Sequence, residues 1–206
     1  MAWQVGDKLK KGKYTIEQVL GHSGFGQTYV ALRNANNSHN AERVVLKHLK
    51  KEEGEDAQAF RDRQTAFTNE AIRLASCEHP NIVKVRPDTF WEDDLVHMVI
   101  EHIEGDNLDV LPKRRGQPLP MDEALGYIAQ VASALDHIHN FEPPLIHRDV
   151  KPANIVIRSK KSEAVLVAFG SAKEVRDGCS RKRWLARYSG FHFAYGKMKT
   201  QKPYWD

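Results

Sequence analysis

The sequence predicts an α+β protein, with a five-stranded antiparallel sheet and one helix first and a mainly helical part after it. Three observations lead there. Short runs that alternate apolar and polar residues, separated by turn residues, fill most of the first hundred positions, as half-buried strands do. Two longer stretches, about 56–77 and 121–140, repeat apolar residues at the three- and four-residue spacing of a helix. With 41% apolar residues in a chain of 206, there is enough apolar surface to build a core for one large or two small domains.

Taken in order, Tyr14 to Leu20 alternates like a half-buried strand, and Thr28 to Leu32 resumes the pattern. Between them lies Gly21-His22-Ser23-Gly24-Phe25-Gly26. By itself this is either a plain hairpin turn or a flap whose glycine amides approach phosphate oxygens, and the strand-turn-strand setting suits the flap better than a strand-to-helix dinucleotide turn. Glu42 to Leu49 is the next strand, with Lys47 among Val44, Val45, Leu46 and Leu49. Lys47 alone reads equally as a surface lysine on an edge strand.

The helix over 56–77 puts Phe60, Phe67, Glu70 and Leu74 on one face. A carboxylate in an apolar stripe is costly to bury alone, so Glu70 is either the partner of Lys47 or a stripe-edge group facing water. His79-Pro80-Asn81-Ile82-Val83 ends that helix, because Pro80 bars its continuation, and leads into a strand. Two further strands follow around Thr89-Phe90-Trp91 and from Leu95 to Ile100. The second helix is marked by Leu125, Ile128, Ala132, Leu135 and His139, and Phe141-Glu142-Pro143-Pro144 breaks it. His137 and His139 point in different directions on such a helix and are read as structural.

Two stretches in the last third carry chemistry. His147-Arg148-Asp149-Val150-Lys151-Pro152-Ala153-Asn154 places an acid, cations and an amide between the apolar pairs Leu145-Ile146 and Ile155-Val156-Ile157, which reads as a loop between buried strands. Ala164 to Val167 is a buried strand that delivers Ala168-Phe169-Gly170. This order resembles the catalytic loop of protein kinases, and Lys151, two places after Asp149, resembles the serine/threonine branch. The glycine loop with Phe25 at its tip and Thr28-Tyr29 behind it looks most like the bacterial members. The resemblance, to the eukaryotic-like serine/threonine protein kinases of bacterial type, covers about residues 14 to 178.

That resemblance implies an N-lobe over 1–105 and a partial C-lobe over 106–178. It also implies an ATP site to which Gly21, Ser23, Gly24, Phe25 and Gly26 contribute the loop, with Ser23 in place of the middle glycine. Lys47 would hold the α- and β-phosphates with Glu70 as counter-ion, and the backbones of Glu101 and Ile103 would meet the adenine edge. Asn107 falls where the family often has a ribose contact. Asp149 would accept the substrate hydroxyl proton, Lys151 would steady the transferred group, and Asn154 would bind Mg²⁺. Arg148 would receive a phosphate or acid, and His147, Leu74 and Phe169 would stack as an apolar column. Ala168 stands where the family has the Asp that bridges Mg²⁺ to the phosphates, so metal binding and transfer should both be weakened.

The expected function is therefore an ATP-binding, serine/threonine kinase-family protein with absent or very low transfer, a truncated or pseudokinase form. An active ATP-dependent protein kinase and a non-catalytic interaction module stay open as alternatives. After Gly170 the activation segment, an Ala-Pro-Glu-like anchor and the later helices of the family are not recognisable, so the apolar face of the second helix is expected to need the tail or a protein partner to cover it.

Charge and location complete the reading. Arg181 to Asp206 has seven Lys or Arg and one acid, a net of +6 within a chain total of +4, which leaves −2 for the first 180 residues. The body thus offers nucleic acid no electrostatic attraction. The tail over 179–206 also holds seven aromatics, and reads either as a nucleic-acid or acidic-partner surface or as a divergent terminus with little structure. Neither a membrane span nor a signal peptide is indicated, which makes the cytoplasm the expected location. Cys77 and Cys179, far apart and without metal spacing, read as reduced and structural.

Overall fold

The computed structural model describes residues 3–23, 26–34 and 41–174, with backbone only for His22, Ser23, Ser171 and Lys173. The basic tail and Cys179 lie outside the described residues. Two compact units form, one from Met1–Glu78 and Val83–His102, the other from His79–Ile82 and Ile103–Asp206. No described helix is long and apolar enough to cross a membrane.

The first unit is an antiparallel sheet with one helix. Its strands are β1 (Lys8–Leu9), β2 (Tyr14–Ser23), β3 (Gly26–Arg33), β4 (Glu42–His48), β5 (Phe90–Glu92) and β6 (Leu95–Glu101), in the order β1-β2-β3-β4-β6-β5. The sheet thus has six strands rather than five. The extra one, β1, is too short to show alternation. It is folded back on β2 through a tight turn in which Lys10, Lys11 and Gly12 all take positive φ. The strand expected after Val83 shrinks to a single bridge, Val85 to Ile100. One face of the sheet buries Tyr14, Ile16, Tyr29, Ala31, Val44, Leu46 and Val99, with Trp3, Leu9 and Phe90 in the same cluster.

Helix α1 (Ala57–Ala75) starts where Asp56 caps it, its Oδ1 accepting from the amides of Gln58 at 2.7 Å and Ala59 at 3.0 Å. Its buried face is Gln64, Phe67, Ala71 and Leu74, so the stripe is rotated slightly from the expected one and Phe60 and Glu70 lie at its edge. Gln64 explains the rotation. Its amide donates to the carbonyl of Asp94 at 3.0 Å and accepts from Val96 at 2.9 Å, which fastens the helix to the turn between β5 and β6.

The second unit contains β7 (Gly105–Asn107), the short helix α2 (Leu111–Arg115), the long helix α3 (Met121–His139), β8 (Leu145–Ile146), β9 (Ile155–Arg158), β10 (Glu163–Leu166) and β11 (Lys173–Glu174). The small sheets are ordered β10-β9-β7 and β11-β8. Helix α3 buries Tyr127, Val131, Ala132, Ala134 and Ile138, and leaves Met121, Leu125 and Ile128 exposed. Asn81 fastens this unit together: its Nδ2 donates to the carbonyl of Ala164 at 2.9 Å and to Gln130 at 3.0 Å, while its own carbonyl accepts from Leu166 at 2.8 Å.

Gly105 is required for steric reasons alone, since a Cβ there would stand 1.9 Å from the carbonyl oxygen of Ile157 across the β7 and β9 pair. Gly126, inside α3, would place a Cβ in open space. Urea unfolding should therefore separate the two. Gly105→Ala is expected to destabilise by about 2 kcal/mol or more, because backbone must move. Gly126→Ala is expected to stabilise by about 0.5–1 kcal/mol, because it only removes glycine's entropy cost in a helix.

Candidate active site

In the first unit, β2 and β3 stay paired up to Ser23 and Gly26. Gly24 and Phe25 lie outside the described residues. Gly26 anchors the base of the glycine loop: a Cβ would meet the carbonyl oxygen of His48 at 2.0 Å, so β3 and β4 can close here only on a glycine. Two bulges in β2, between Ile16 and Gln18 and between Val19 and Gly21, turn the strand so that Val19 and Leu20 are exposed beside the loop.

Lys47 sits on β4 on the face opposite Leu46 and His48, in register with Thr28 and Met98. Its ammonium lies over the ring of Phe67, 5.9 Å from the centroid. Glu70, one helical turn beyond Phe67, is the charge that acts on it. Burial lowers the pKa of Lys47 against the pull of Glu70, and raises that of Glu70 to about 7 against the pull of Lys47. Desolvation outweighs attraction in both because, among the described residues, no contact of 4.0 Å or less joins them. The expected pair is therefore brought together as neighbours without closing into an ion pair.

The segment that follows β6 begins with Glu101, whose amide donates to the carbonyl of Lys84 at 2.9 Å. Ile103 is buried at 8% exposure, and its N–H makes no hydrogen bond among the described residues, a donor left for something else. Asn107 is committed locally. Its Oδ1 accepts from the amides of Asp109 at 3.0 Å and Val110 at 2.9 Å, a turn that leads into α2.

In the second unit the loop between β8 and β9 gathers its polar groups on Asp149. The Oδ2 of that residue accepts from Lys151 Nζ at 2.9 Å and from Asn154 Nδ2 at 2.9 Å. Asn154 Nδ2 also donates to the carbonyl of Asp149 at 2.8 Å. Lys151 first, and Asn154 after it, hold the Asp149 carboxyl below the usual carboxylate range. Asp149 is thus an ionised acceptor at neutral pH, half exposed, with its geometry fixed from two sides.

Behind the loop, His147 is buried at 1% exposure. Its Nδ1 accepts from the amide of Asp149 at 3.3 Å, which assigns the proton to Nε2, and that nitrogen donates to the carbonyl of Val167 at 3.0 Å. The amide of Val167 donates in turn to the carbonyl of Asn154 at 2.9 Å. Phe169 meets His147 edge-on at 4.6 Å. Two members of the expected column are thus together, while Leu74 is buried on α1 in the other unit. Arg148 is exposed, at a φ of 64°. Sequence reasoning missed Phe67 as a seat for Lys47 and the backbone of Val167 as a tie. Phe67 could have been found, since it lies three residues before Glu70 on the same helical face.

Ala168 follows Val167 in the left-handed region, at φ 63° and ψ 58°. Asp and Asn tolerate that conformation better than Ala. A divalent magnesium ion would require oxygen donors, carboxylates first. The donor set here is the Asn154 amide oxygen, which is neutral, and an Asp149 carboxylate already held by Lys151, with a methyl group at 168. Among the described residues no group of three His, Cys, Asp or Glu could hold a metal. These residues do not fit the ion well.

The buried carboxyl of Glu70 makes stability depend on pH. With its folded pKa raised from 4.5 to about 7, it contributes stability below the unfolded pKa and loses it as pH rises through 7. Glu70→Gln should then raise stability by up to about 2 kcal/mol at about pH 8 and change it little near pH 4, as read by urea unfolding at the two pH values.

A sequence model described as the protein kinase domain matches residues 14–189. The catalytic subunit of the cAMP-dependent protein kinase of Arthrobotrys oligospora is 34% identical over 176 residues, covering 82% of this chain and 31% of its own. Serine/threonine-protein kinase B of Synechocystis is 30% identical over 200 residues, 96% of this chain and 34% of its own. The serine/threonine-protein kinase PrkC of Bacillus subtilis is 34% identical over 150 residues, 73% of this chain and 21% of its own. The chain therefore spans about a third or less of the length of these relatives. With the domain match covering most of its length and bacterial serine/threonine kinases among its relatives, the chain belongs to the protein kinase family, in the eukaryotic-like serine/threonine group of bacterial type.

Proposed function

We propose that the chain binds ATP and transfers its terminal phosphoryl group to protein hydroxyls very slowly or not at all. The observation that carries this reading is the methyl group at Ala168, one residue after the Val167 amide that bonds Asn154, at a left-handed backbone position that Asp or Asn adopts more readily than Ala. Phosphoryl transfer is positioning plus charge neutralisation. Losing the one carboxylate able to bring a divalent cation to the phosphates removes both. When bound, that cation would supply charge neutralisation of the phosphates.

Nucleotide binding is supported by other groups. Lys47 offers a desolvated ammonium without an ion-pair partner within 4.0 Å among the described residues, and Ile103 offers a free N–H. Gly21, Ser23 and Gly26, with Gly24 and Phe25, supply the loop. A second reading, a working kinase, is favoured by one observation: Asp149, Lys151 and Asn154 are assembled as a base, a cation and an amide in mutual hydrogen-bond contact. In that reading Asp149 receives the hydroxyl proton and Lys151 steadies the moving phosphoryl group.

Thermal unfolding with millimolar ATP tests binding. A rise in Tm is expected for the wild type, about the same with and without Mg²⁺, and it should vanish in Lys47→Ala. An unchanged Tm for the wild type, or an equal rise in Lys47→Ala, contradicts the proposal.

Transfer is tested with radiolabelled ATP on the wild type, Ala168→Asp and Asp149→Ala. The wild type should match Asp149→Ala at background, and Ala168→Asp should gain Mg²⁺-dependent nucleotide binding. Strong phosphorylation by the wild type that is lost in Asp149→Ala establishes the second reading instead. As a control for the backbone, Ala168→Gly should stabilise by about 0.5–1 kcal/mol without restoring metal dependence, because it relieves only the left-handed strain.

A further inference from the structure

The sheet face that carries Tyr29, His48 and His97 is capped by the segment from Trp3 to Leu9, and two histidines lie under the cap. His48 on β4 and His97 on β6 are exposed by 1% and 0%, with ring centroids 5.2 Å apart. The Trp3 ring covers both, 4.8 Å from His48 and 4.7 Å from His97. Phe90 stacks on His97 at 4.8 Å and Tyr29 lies parallel to His48 at 5.8 Å. His48 Nδ1 donates to the carbonyl of Leu49 at 2.9 Å, but among the described residues His48 Nε2 and both nitrogens of His97 have no hydrogen-bond partner. Three ring nitrogens are thus buried under aromatic carbon, where among the described residues no acceptor lies within hydrogen-bond distance of them.

The cap itself is lightly held. Trp3 N donates to the hydroxyl of Tyr29 at 3.3 Å, and that hydroxyl donates to Gln27 Oε1. Gly6 N donates to the carbonyl of Ile16 at 2.8 Å, Ile16 N to the carbonyl of Asp7 at 2.9 Å, and two residues of β1 pair with β2. Segments with so few bonds open locally before a sheet unfolds.

From this arrangement we infer that the Trp3 to Leu9 segment is an acid-released strap, seated on the sheet only while His48 and His97 are both uncharged. The groups that bear on the pair do not rescue it. Asp7 acts on Tyr29, Lys10 lies over Phe90, and the backbone of Glu92 favours a charged His97 by less than burial opposes it. Burial, as the largest cause, lowers the pKa of both rings, that of His97 to about 3. Released rings would titrate near the ordinary value of about 6.5. The seated form is therefore favoured above 6.5 and loses ground as pH falls below it. Between about pH 8 and pH 5 the release equilibrium moves about 30-fold for His97, and His48 shifts it further in the same direction.

Trp3 is its own reporter once Trp91, Trp184 and Trp205 are changed to Phe. In that protein, acrylamide quenching of Trp3 should rise severalfold as pH falls from about 7.5 to 5 while far-UV circular dichroism stays constant, since only the strap moves. His97→Leu should remove the roughly 30-fold share of His97 and leave only the smaller shift due to His48, with Trp3 still shielded near pH 5. If His97→Leu does not fold, His48→Asn serves, because its amide can keep the bond to Leu49 while removing the titrating ring. A Trp3 that stays shielded in the parent down to pH 5 overturns the inference. So does exposure that coincides with loss of circular dichroism, or release at an unchanged pH in a folded histidine variant.

Discussion

The candidate active site of the second unit depends on the two hydrogen bonds of a single peptide residue, Val167. Its carbonyl receives the proton of His147 and its amide is donated to the carbonyl of Asn154. These bonds lock the segment just after β10 onto the loop after β8, so the positions of Asp149, Asn154 and Ala168 follow from one another. Asp149 is oriented by Lys151 and Asn154 in front and by His147 behind. The loop from His147 to Asn154 therefore keeps its form with a methyl group at position 168. Shape and chemistry are set by different atoms here, the first by backbone and a buried imidazole, the second by the side chain at 168.

In the first unit the governing constraint is desolvation. Lys47 and Glu70 are each pushed toward neutrality by burial, and neither is fully repaid by the other. An anion arriving at Lys47 would meet a cation that has already lost its water and has an aromatic face, Phe67, to lean on. The same physics governs the histidine pair under Trp3, with a different result. There burial is satisfied by staying uncharged, because among the described residues no acid pairs with either ring.

Much of this was legible in the sequence. The loop from His147 to Asn154, the strand before Ala168 and both long helices follow from residue type and period, and the helix bounds agree within two residues. Lys47 and Glu70 were legible as neighbours, yet their separation was not, since it depends on how far α1 turns. That turn is set by Gln64, a polar residue in an apolar stripe whose partners are backbone groups distant in sequence. Strand β1 was hidden because two residues cannot display a period. His48 and His97 share the alternation of the buried Val44, Leu46 and Val99, so their burial could have been read from register; what encloses them could not.

Asn81 has a consequence for how the chain can be divided. Residues 79–82 belong to the second unit although the residues on both sides belong to the first. Neither unit is a continuous piece of sequence. A cut near residue 102 would therefore strip the second unit of the amide that serves the carbonyl of Ala164 and of the carbonyl that receives Leu166 N–H, both in the buried edge strand β10. Those groups would be buried without partners, at a cost of about 1–3 kcal/mol each. The two units are thus inseparable by a single break of the chain, and shuffling either one into another protein means carrying a four-residue splint along with it.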